Sequence, residues 1–361
     1  MGLQGALIIL GLLVVFAVGL NAYDRGRIKH RFLALFELRP NNGMDPDPVA
    51  VKEVRPEWGE RRVLRPKAVP LEPTAEEEIS HEEPFGSIDF IVFLPGSTPV
   101  IRDAALGIYK QNEYVIEKPH RLYGQRAGSQ TWSNLAKDKI EASYDLLALA
   151  LQLADRSGAV NESELNAITQ IGLKLADALN RPTRFNMTFE QALERAVALD
   201  KFCASFDVIA TINVVADSAP AFRGPSIERA AQDAHLEFGS RNIFHRKNTG
   251  KGGSRYLYSL ANLYHPGSFD PLRLDVFQTQ GLTLFMSVPC VPDPAIVFGE
   301  MADSARTLAR RLGGKLFDQD RKLLTEAGLA AIKAQIQDIG ERMTTHGIAP
   351  GTLNATRLFP P

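Results

Sequence analysis

The sequence predicts a folded region of the α/β class, of the α+β type, in which an antiparallel sheet carries helices on one face. Short segments with period-two alternation, such as residues 282–288, are followed by segments of helical period, such as residues 295–312. A similar order of elements occurs twice along the chain, which indicates two tandem diverged copies. A charge-free apolar run near the amino terminus predicts a transmembrane helix ahead of the folded region.

The apolar run at residues 3–20 is long enough to cross a hydrocarbon core of about 30 Å at about 1.5 Å per residue. Arg25, Arg27 and Lys29 follow it directly, and no basic residue precedes it. Basic flanks stay on the cytoplasmic side, so residues 1–24 are predicted to be a single-pass anchor with its amino terminus outside. The alternative is a cleaved signal peptide, which normally has the basic residues in front of the apolar run.

Residues 25–85 are predicted to be a cytoplasmic linker. This stretch is rich in proline and has no sustained apolar period. Its earlier part is basic (Arg61, Arg62) and its end is acidic (Glu82, Glu83). Such a composition favours an extended, solvated tether.

The rest of the chain is divided into a degenerate α/β unit (residues 86–185), a helical bridge (186–205), a second α/β unit (206–343) and a flexible tail (344–361). The two units align through four pairs of residues: Ile91 with Ile209, Tyr123 with Phe244, Ser133 with Ser259, and Leu175 with Leu308. Identity between the units is thin, so chance similarity between two stretches rich in βαβ elements is the alternative.

Individual elements follow from local pattern. In the first unit we expect strands at 88–94 and 121–124, a proline-containing turn after residue 94, and helices at 104–109 and 162–179. In the second unit we expect strands at 207–215, 242–246, 255–264 and 282–288, helices at 226–234, 295–312 and 326–343, and a short edge strand at 316–318. Thr188 and Thr325 are predicted N-caps of the bridge helix and the last helix.

Composition and motifs do not favour an enzyme. The 361 residues carry a net charge of −1 and only two cysteines, Cys203 and Cys290, which excludes a disulfide scaffold and a multi-cysteine zinc site. No nucleophile, base or metal-ligand set assembles from the sequence, and we expect neither a cofactor nor a small-molecule substrate. The glycine-rich stretch 249–254 lacks the spacing of a phosphate-binding loop and fits a hairpin loop. His245 and His265 are predicted to have surface or partner-contact roles.

The most informative feature is that the strands of the second unit are apolar on both faces. In residues 282–288, Leu284 and Met286 lie on the predicted core face and Phe285 on the other. Ile209, Ile243 and Leu263 share the phase of Phe285, and a contiguous outer apolar patch indicates a partner-binding surface. Ile91 and Phe93 form the corresponding pair in the first unit. They are predicted to be either a second binding site or the surface where the units meet.

Residues 242–246 (NIFHR), 258–263 (YSLANL), 266–271 (PGSFDP) and 281–289 (GLTLFMSVP) resemble the FtsZ-binding carboxy-terminal domain family of the bacterial cell division protein ZipA. The resemblance covers residues 206–343. The chain departs from that family in its shorter linker and in the additional stretch 85–179. The resemblance implies a cell division protein of the bacterial inner membrane, located at the division site, that binds FtsZ and tethers the Z ring.

Within this resemblance, the carboxy-terminal tail peptide of FtsZ lies in a shallow apolar groove on the sheet face that the helices leave open. The groove residues it implies are Ile209, Thr211, Arg241, Ile243, Ala261, Leu263, His265, Thr283, Phe285 and Ser287. These residues agree with the outward phase that alternation gives independently. The alternative is a membrane-tethered nucleic-acid-binding module that uses the sheet with the basic side chains of Arg246, Lys247, Lys251 and Arg255.

Overall fold

Two antiparallel sheets dominate the part of the chain that the computed structural model describes, which comprises residues 84–217, 221–250 and 252–360. The predicted anchor and the predicted linker up to residue 83 lie outside these residues. Within the described ranges, no helix combines the length and the apolar character needed to cross a membrane. The predicted α+β class with antiparallel sheets and helices is confirmed.

The first sheet has five strands in the spatial order β3-β2-β4-β1-β7. Its elements are β1 (Asp89–Ile101), α1 (Arg102–Lys110), β2 (His120–Arg126), β3 (Trp132–Asn134), β4 (Ser143–Gln152), the small hairpin β5 (Ala154–Asp155) and β6 (Gly158–Ala159), α2 (Glu162–Ala178) and β7 (Arg184–Phe185). Helix α2 packs on β1 and β4, where Gly172 lies against the side chain of Val92. Helix α3 (Phe189–Phe206) then leads to the second sheet.

The second sheet has six strands in the spatial order β10-β11-β12-β14-β8-β15. Its elements are β8 (Ile209–Ala216), β9 (Phe222–Arg223), α4 (Gly224–Asp233), β10 (Glu237–Phe238), β11 (Phe244–Lys247), β12 (Tyr256–Asn262), β13 (Gln278–Thr279), β14 (Gly281–Ser287), α5 (Pro294–Leu312), β15 (Gly314–Phe317), α6 (Glu326–Thr345) and α7 (Leu353–Leu358). Strands β9 and β13 form a separate pair. Helix α5 packs across β8, β12 and β14, and α6 packs on α5.

Both sheets contain the same β-α-β-β-α-β core. In the first it is β1-α1-β2-β4-α2-β7, and in the second it is β8-α4-β12-β14-α5-β15. The core strands have the same spatial order, β2-β4-β1-β7 and β12-β14-β8-β15, and all neighbours are antiparallel. This is the split βαβ arrangement.

The residue pairs used to align the two units are partly wrong in position. The sequence pairs Tyr123 of β2 with Phe244 of β11, and Ser133 of β3 with Ser259 of β12. In the structure, β2 occupies the place of β12, because both lie beside the strand that precedes the second core helix. The additional strands cause the difference, since β3 follows β2 in the first unit whereas β10 and β11 precede β12 in the second.

Alternation in β14 is as predicted. Leu282, Leu284 and Met286 are buried, whereas Thr283 and Phe285 are partly exposed. The caps of two helices are also confirmed. The side chain of Thr188 accepts a hydrogen bond from the backbone N–H of Gln191, and that of Thr325 accepts one from Gly328.

Strand β1 is longer than predicted because it does not end at the expected turn. It continues past Pro95 through a register shift and pairs with β4 again at Val100. The buried guanidinium of Arg181 donates to the carbonyls of Leu94 (3.0 Å) and Thr98 (2.5 Å) on both sides of the shift. Arg181 thereby satisfies backbone acceptors that the irregular strand leaves without ladder partners.

The carboxy-terminal segment 344–361 is not a flexible tail in its described part, which extends to residue 360. It contains helix α7, and Leu358 and Phe359 are fully buried. The ring of Phe359 lies 6.0 Å from that of Phe202 on α3. Only a few apolar residues are buried here and no helical period repeats, so the sequence pattern did not reveal this element.

Candidate functional site

The outer face of the second sheet is the side turned away from helix α5. Side chains of the opposite, inner face contact that helix, as Tyr258 does through a 2.9 Å hydrogen bond to Ser304. Around Phe285, strand alternation and register place nine residues on the outer face: Ile209, Thr211, Asn213, His245, Ser259, Ala261, Thr283, Phe285 and Ser287. The same register places Lys315 and Phe317 of β15 and Glu237 of β10 on this face, towards its two edges.

Phe285 lies at the centre of a row that crosses four strands. Its direct neighbours in the row are Thr211 on β8 and Ser259 on β12, and His245 on β11 is next to Ser259. The ring is partly exposed and is flanked by two small side chains. Phe285 is therefore the largest apolar group in this row and stands open to a ligand.

The apolar surface continues beyond the ends of the strands. Leu263 follows β12, and its Cδ2 lies 2.8 Å from the position that a Cβ on Gly281 would occupy. Glycine at position 281 thus allows Leu263 to pack directly on the backbone of β14. Ala261 and Ile243 are almost fully buried beside it.

The side of the outer face next to β15 is bordered by the loop that follows that strand. The amide of Gln319 donates to the hydroxyl of Thr211 (2.9 Å), and Asn213 donates to the carbonyl of Asp318 (2.9 Å). The hydroxyl of Thr211 is therefore already an acceptor within the fold.

The opposite side is bordered by His245, whose predicted surface role is wrong. Its ring is buried, and Nε2 lies 2.9 Å from the carbonyl of Ser240, so Nε2 carries the proton and donates it. Nδ1 then accepts from the hydroxyl of Ser259 (2.8 Å), and the ring stacks on Tyr256 at 3.9 Å. Burial lowers the pKa of His245, and the nearby Arg241 and Arg255 lower it further, against the effect of the bond to Ser240. His245 is thus neutral at pH 7.

Six of the ten predicted groove residues lie on outer-face strand positions: Ile209, Thr211, Ala261, Thr283, Phe285 and Ser287. Ile243 lies just before β11 and Leu263 just after β12, so both are outside the observed strands although the sequence predicted them inside strands 242–246 and 255–264. Arg241 lies in the helical turn Ser240–Asn242 with φ of 58°, and His265 lies in the turn that follows β12. Both are exposed at the edge of the face.

Sequence reasoning missed Asn213, His245 and Ser259 as parts of the outer face. Alternation contained the signal for two of them, because Asn213 is in phase with Thr211, and Ser259 is in phase with Ala261. None of the nine side chains around Phe285 carries a charge at neutral pH, and the charged Lys315 and Glu237 lie on the edge strands. The chemistry of this face fits a predominantly apolar peptide.

Two cations of the nucleic-acid alternative are paired with acids. Lys247 lies 2.5 Å from a carboxylate oxygen of Glu237, and Arg246 lies 3.9 Å from one of Glu300. Lys251 lies outside the described residues. These pairs reduce the positive potential that phosphate binding requires.

A cavity of about 250 Å³ lies at the first sheet and not on this outer face. Its lining includes Tyr123, Ala150, Gln152 and Arg357. Across residues 84–217, 221–250 and 252–360, no group of three or more His, Cys, Asp or Glu side chains is arranged to hold a metal ion.

Comparison with known proteins confirms the predicted resemblance. Residues 208–335 match the family model described as ZipA, C-terminal FtsZ-binding domain. The chain is 31% identical over 166 residues to the cell division protein ZipA of Ectopseudomonas mendocina, which covers 45% of this chain and 61% of that protein. It is 36% identical over 132 residues to that of Shewanella loihica (36% and 39%), and 34% identical over 135 residues to that of Pseudomonas aeruginosa (37% and 47%). The matched region thus spans less than two thirds of each of these relatives.

Proposed function

We propose that this protein binds the carboxy-terminal tail peptide of FtsZ on the outer face of its second sheet and tethers FtsZ filaments to the cytoplasmic membrane. The observation that carries the proposal is the partly exposed ring of Phe285 at the centre of a group of uncharged outer-face side chains. That face lies within residues 208–335, which match the ZipA C-terminal FtsZ-binding domain.

In the proposed complex, the peptide lies across β8, β14 and β12 and places a large apolar side chain against Phe285. Burial of a phenylalanine-sized group contributes about 1.5–3 kcal/mol. Leu263 and Ile209 extend the apolar contact on either side, and Thr283 and Ser287 contribute small surfaces that let the peptide approach the sheet. Arg241 and His265, at the edge of the face, are available to polar groups of the peptide.

A single site of this kind is expected to be weak, because ordering a free peptide offsets much of the gain from burial. A filament presents many tails to many anchors on one membrane. The effective concentration of tails near each site is then high, so a weak site is sufficient for stable tethering.

The remaining parts of the proposal concern the membrane and the first unit. Residues 1–24 are proposed to span the inner membrane once, with the amino terminus outside, and the stretch from residue 25 to residue 83 to link this anchor to the folded region at the division site. The predicted end of the linker at residue 85 is too late, because Phe85 packs in the first unit. The first unit, residues 86–185, is proposed to be a degenerate copy of the second. The shared β-α-β-β-α-β order of the two sheets supports this relation.

Replacement of Phe285 tests the binding site. We expect Phe285→Ala in the full-length protein to weaken binding of an FtsZ tail peptide about tenfold or more, since about 1.4 kcal/mol corresponds to a factor of ten. Isothermal titration calorimetry with the detergent-solubilised protein measures this change.

The matched control is Phe185→Ala. Phe185 is also a sheet phenylalanine and is 40% exposed, but it belongs to the first sheet. It is expected to leave peptide affinity unchanged. Undetectable binding to the parent protein at millimolar peptide would end the proposal, and equal affinity of parent and Phe285→Ala would exclude this face as the site.

A further inference from the structure

The outer face of the first sheet, on the side away from α2, carries a cluster of apolar and aromatic side chains. Ile91 and Phe93 on β1 lie in one buried cluster with Tyr123, Trp132, Ala148 and Ala150 from the neighbouring strands. The adjacent β1 residue Val92 faces α2 instead. Because the two sheets have the same core order, this cluster occupies the same place on the first sheet that the face around Phe285 occupies on the second.

This face is covered by a residue that precedes the sheet in the chain. The ring of Phe85 lies 5.1 Å from that of Trp132, 5.6 Å from that of Phe93 and 6.0 Å from that of Tyr123. Its contacts with Trp132 and Phe93 are edge-to-face, the geometry that aromatic pairs prefer. Phe85 is only 7% exposed. Of the two alternatives that the sequence left, a second binding site or the surface where the units meet, the first is not present as an open site, because Phe85 covers the face.

The segment that carries Phe85 is held by contacts outside the first sheet. Asp89 closes the turn after Phe85, because its carboxylate accepts from the backbone N–H of Gly86 (2.8 Å). The same carboxylate accepts two hydrogen bonds from Arg357 on α7 (2.6 and 2.8 Å). Arg195 on α3 donates to the carbonyl of Ser87 (3.1 Å). Phe85 is thus directed onto the sheet by a turn that two helices fix.

Tyr123, which contacts Phe85, also lines a cavity. Beside Tyr123 and Ala150, on the same part of the sheet, the cavity of about 250 Å³ remains open. A ring inserted among aromatic side chains is how a peptide anchor residue occupies a docking face.

We propose that Phe85 acts as an intramolecular plug, which occupies on the first sheet the place that a large apolar side chain of a bound peptide takes on such a face. The plug closes the first sheet to peptides, and the face around Phe285 is left as the open one of the two. The proposal that the FtsZ tail peptide would bind here after removal of the plug rests on the proposed function. The observation that Phe85 covers the face is independent of the proposed function.

Trp132 reports directly on this face. The chain has two tryptophans, Trp58 and Trp132, so Trp58→Phe leaves Trp132 as the single tryptophan of the full-length protein. In this background, Phe85→Ala is expected to increase acrylamide quenching of Trp132 at least about twofold, because the ring that covers the indole is gone. Phe85→Leu retains most of the covering volume and is expected to keep quenching close to the parent level. Phe185→Ala removes a ring packed on Phe90, on the opposite face, and is expected to leave quenching unchanged.

Adding the FtsZ tail peptide then tests docking. Saturating peptide is expected to restore protection of Trp132 in Phe85→Ala and to leave Trp132 in the plugged parent unaffected. The response is expected to persist when Phe285→Ala is added. Unchanged quenching in a folded Phe85→Ala variant, with folding checked by circular dichroism, would overturn the plug. Increased quenching that the peptide does not reverse would overturn docking on this face.

The two proposals fail separately. If Phe285→Ala abolishes peptide binding in the calorimeter, and Phe85→Ala leaves acrylamide quenching of Trp132 unchanged, the proposed function is supported and the plug is rejected. If the peptide protects Trp132 from quenching in Phe85→Ala, and calorimetry detects no peptide binding to the parent protein, the plug is supported and the second sheet is rejected as the FtsZ site.

Discussion

Replacing Arg357 with methionine is expected to lower the free energy of unfolding by about 3–5 kcal/mol, the usual cost of removing one partner from a buried ion pair. Asp89 is fully buried, and the Arg357 side chain is 15% exposed. The pair is bidentate, with N–O distances of 2.6 and 2.8 Å. In the variant, the carboxylate stays buried and keeps only the backbone N–H of Gly86 as a described partner. Urea unfolding of the full-length protein at pH 7 measures the loss.

The surface pair of Arg311 and Asp233 provides the matched control. Its N–O distance is 2.9 Å, similar to that of the buried pair, but the side chains are 62% and 43% exposed. Arg311→Met is expected to cost less than about 1 kcal/mol. The double variant Asp89→Asn with Arg357→Met is expected to lose less stability than the sum of the two single variants, because each single variant leaves one buried charge without its partner and the double variant leaves none. A loss below 1 kcal/mol for Arg357→Met would show that the pair does not hold the carboxy-terminal helix to β1.

The elements that the sequence predicted well are those whose signal is local. Residues 282–288 bury every second side chain, and this period alone fixes which face Phe285 occupies. Thr188 and Thr325 each precede an amphipathic helix, and capping requires only the backbone N–H three residues further on.

The elements that the sequence did not predict depend on partners far away in the chain. Asp89 and Arg357 are 268 positions apart, and no local pattern around either residue indicates the other. Phe85 ends a proline-rich, charged stretch, so composition places it in a linker, whereas its aromatic partners come from β1, β2 and β3. Strand β1 continues past Pro95 because Arg181, from the segment after α2, satisfies its carbonyls.

The candidate site shows the same division. Positions inside β8 and β14 follow from alternation, and the structure places them on the outer face. Arg241 and His265 came from the resemblance alone and lie in turns, where strand alternation does not apply. The sequence predicts a surface or partner-contact role for His245, because no carboxylate or cysteine lies at metal-ligand spacing from it, but its ring is buried and its nitrogens have partners in Ser240 and Ser259. A buried polar side chain with both atoms satisfied has a small burial cost, which composition does not reveal.

Replacing Asp138 with asparagine is expected to lower the free energy of unfolding by about 2–4 kcal/mol at pH 7. The carboxylate lies between β3 and β4, and its side chain is 1% exposed. It accepts hydrogen bonds from the guanidinium of Arg126, the hydroxyls of Ser133 (2.5 Å) and Tyr144 (2.9 Å), and the backbone N–H of Lys139 (2.7 Å). Asparagine lacks the charge and replaces one acceptor oxygen with a donor, so some of these groups lose their acceptor.

The pH dependence of this effect has a definite sign. Burial by itself raises the pKa of Asp138, but the hydrogen bonds from Arg126, Ser133, Lys139 and Tyr144 together lower it well below its ordinary value of 3.8. A carboxyl whose pKa is lowered by folding stabilises the native state above its unfolded pKa, and this stability is lost as the pH falls towards its folded pKa. The difference in unfolding free energy between parent and Asp138→Asn is therefore expected to be constant from pH 7 to about pH 5 and to narrow below about pH 4.

Urea unfolding followed by circular dichroism at pH 7, 5, 4 and 3 measures this difference. The exposed Asp233 supplies the comparison, since Asp233→Asn removes a carboxylate that has a single described cation partner on the surface. Its effect is expected to stay below about 1 kcal/mol at every pH. A difference for Asp138→Asn that stays as large at pH 3 as at pH 7 would contradict the lowered pKa. In that case the stability lost in Asp138→Asn would come from the shape and hydrogen-bond donors of the asparagine and not from the missing charge. A difference that narrows with acidification identifies the ionised carboxylate as the group that holds Arg126, Ser133 and Tyr144 together beside the first sheet.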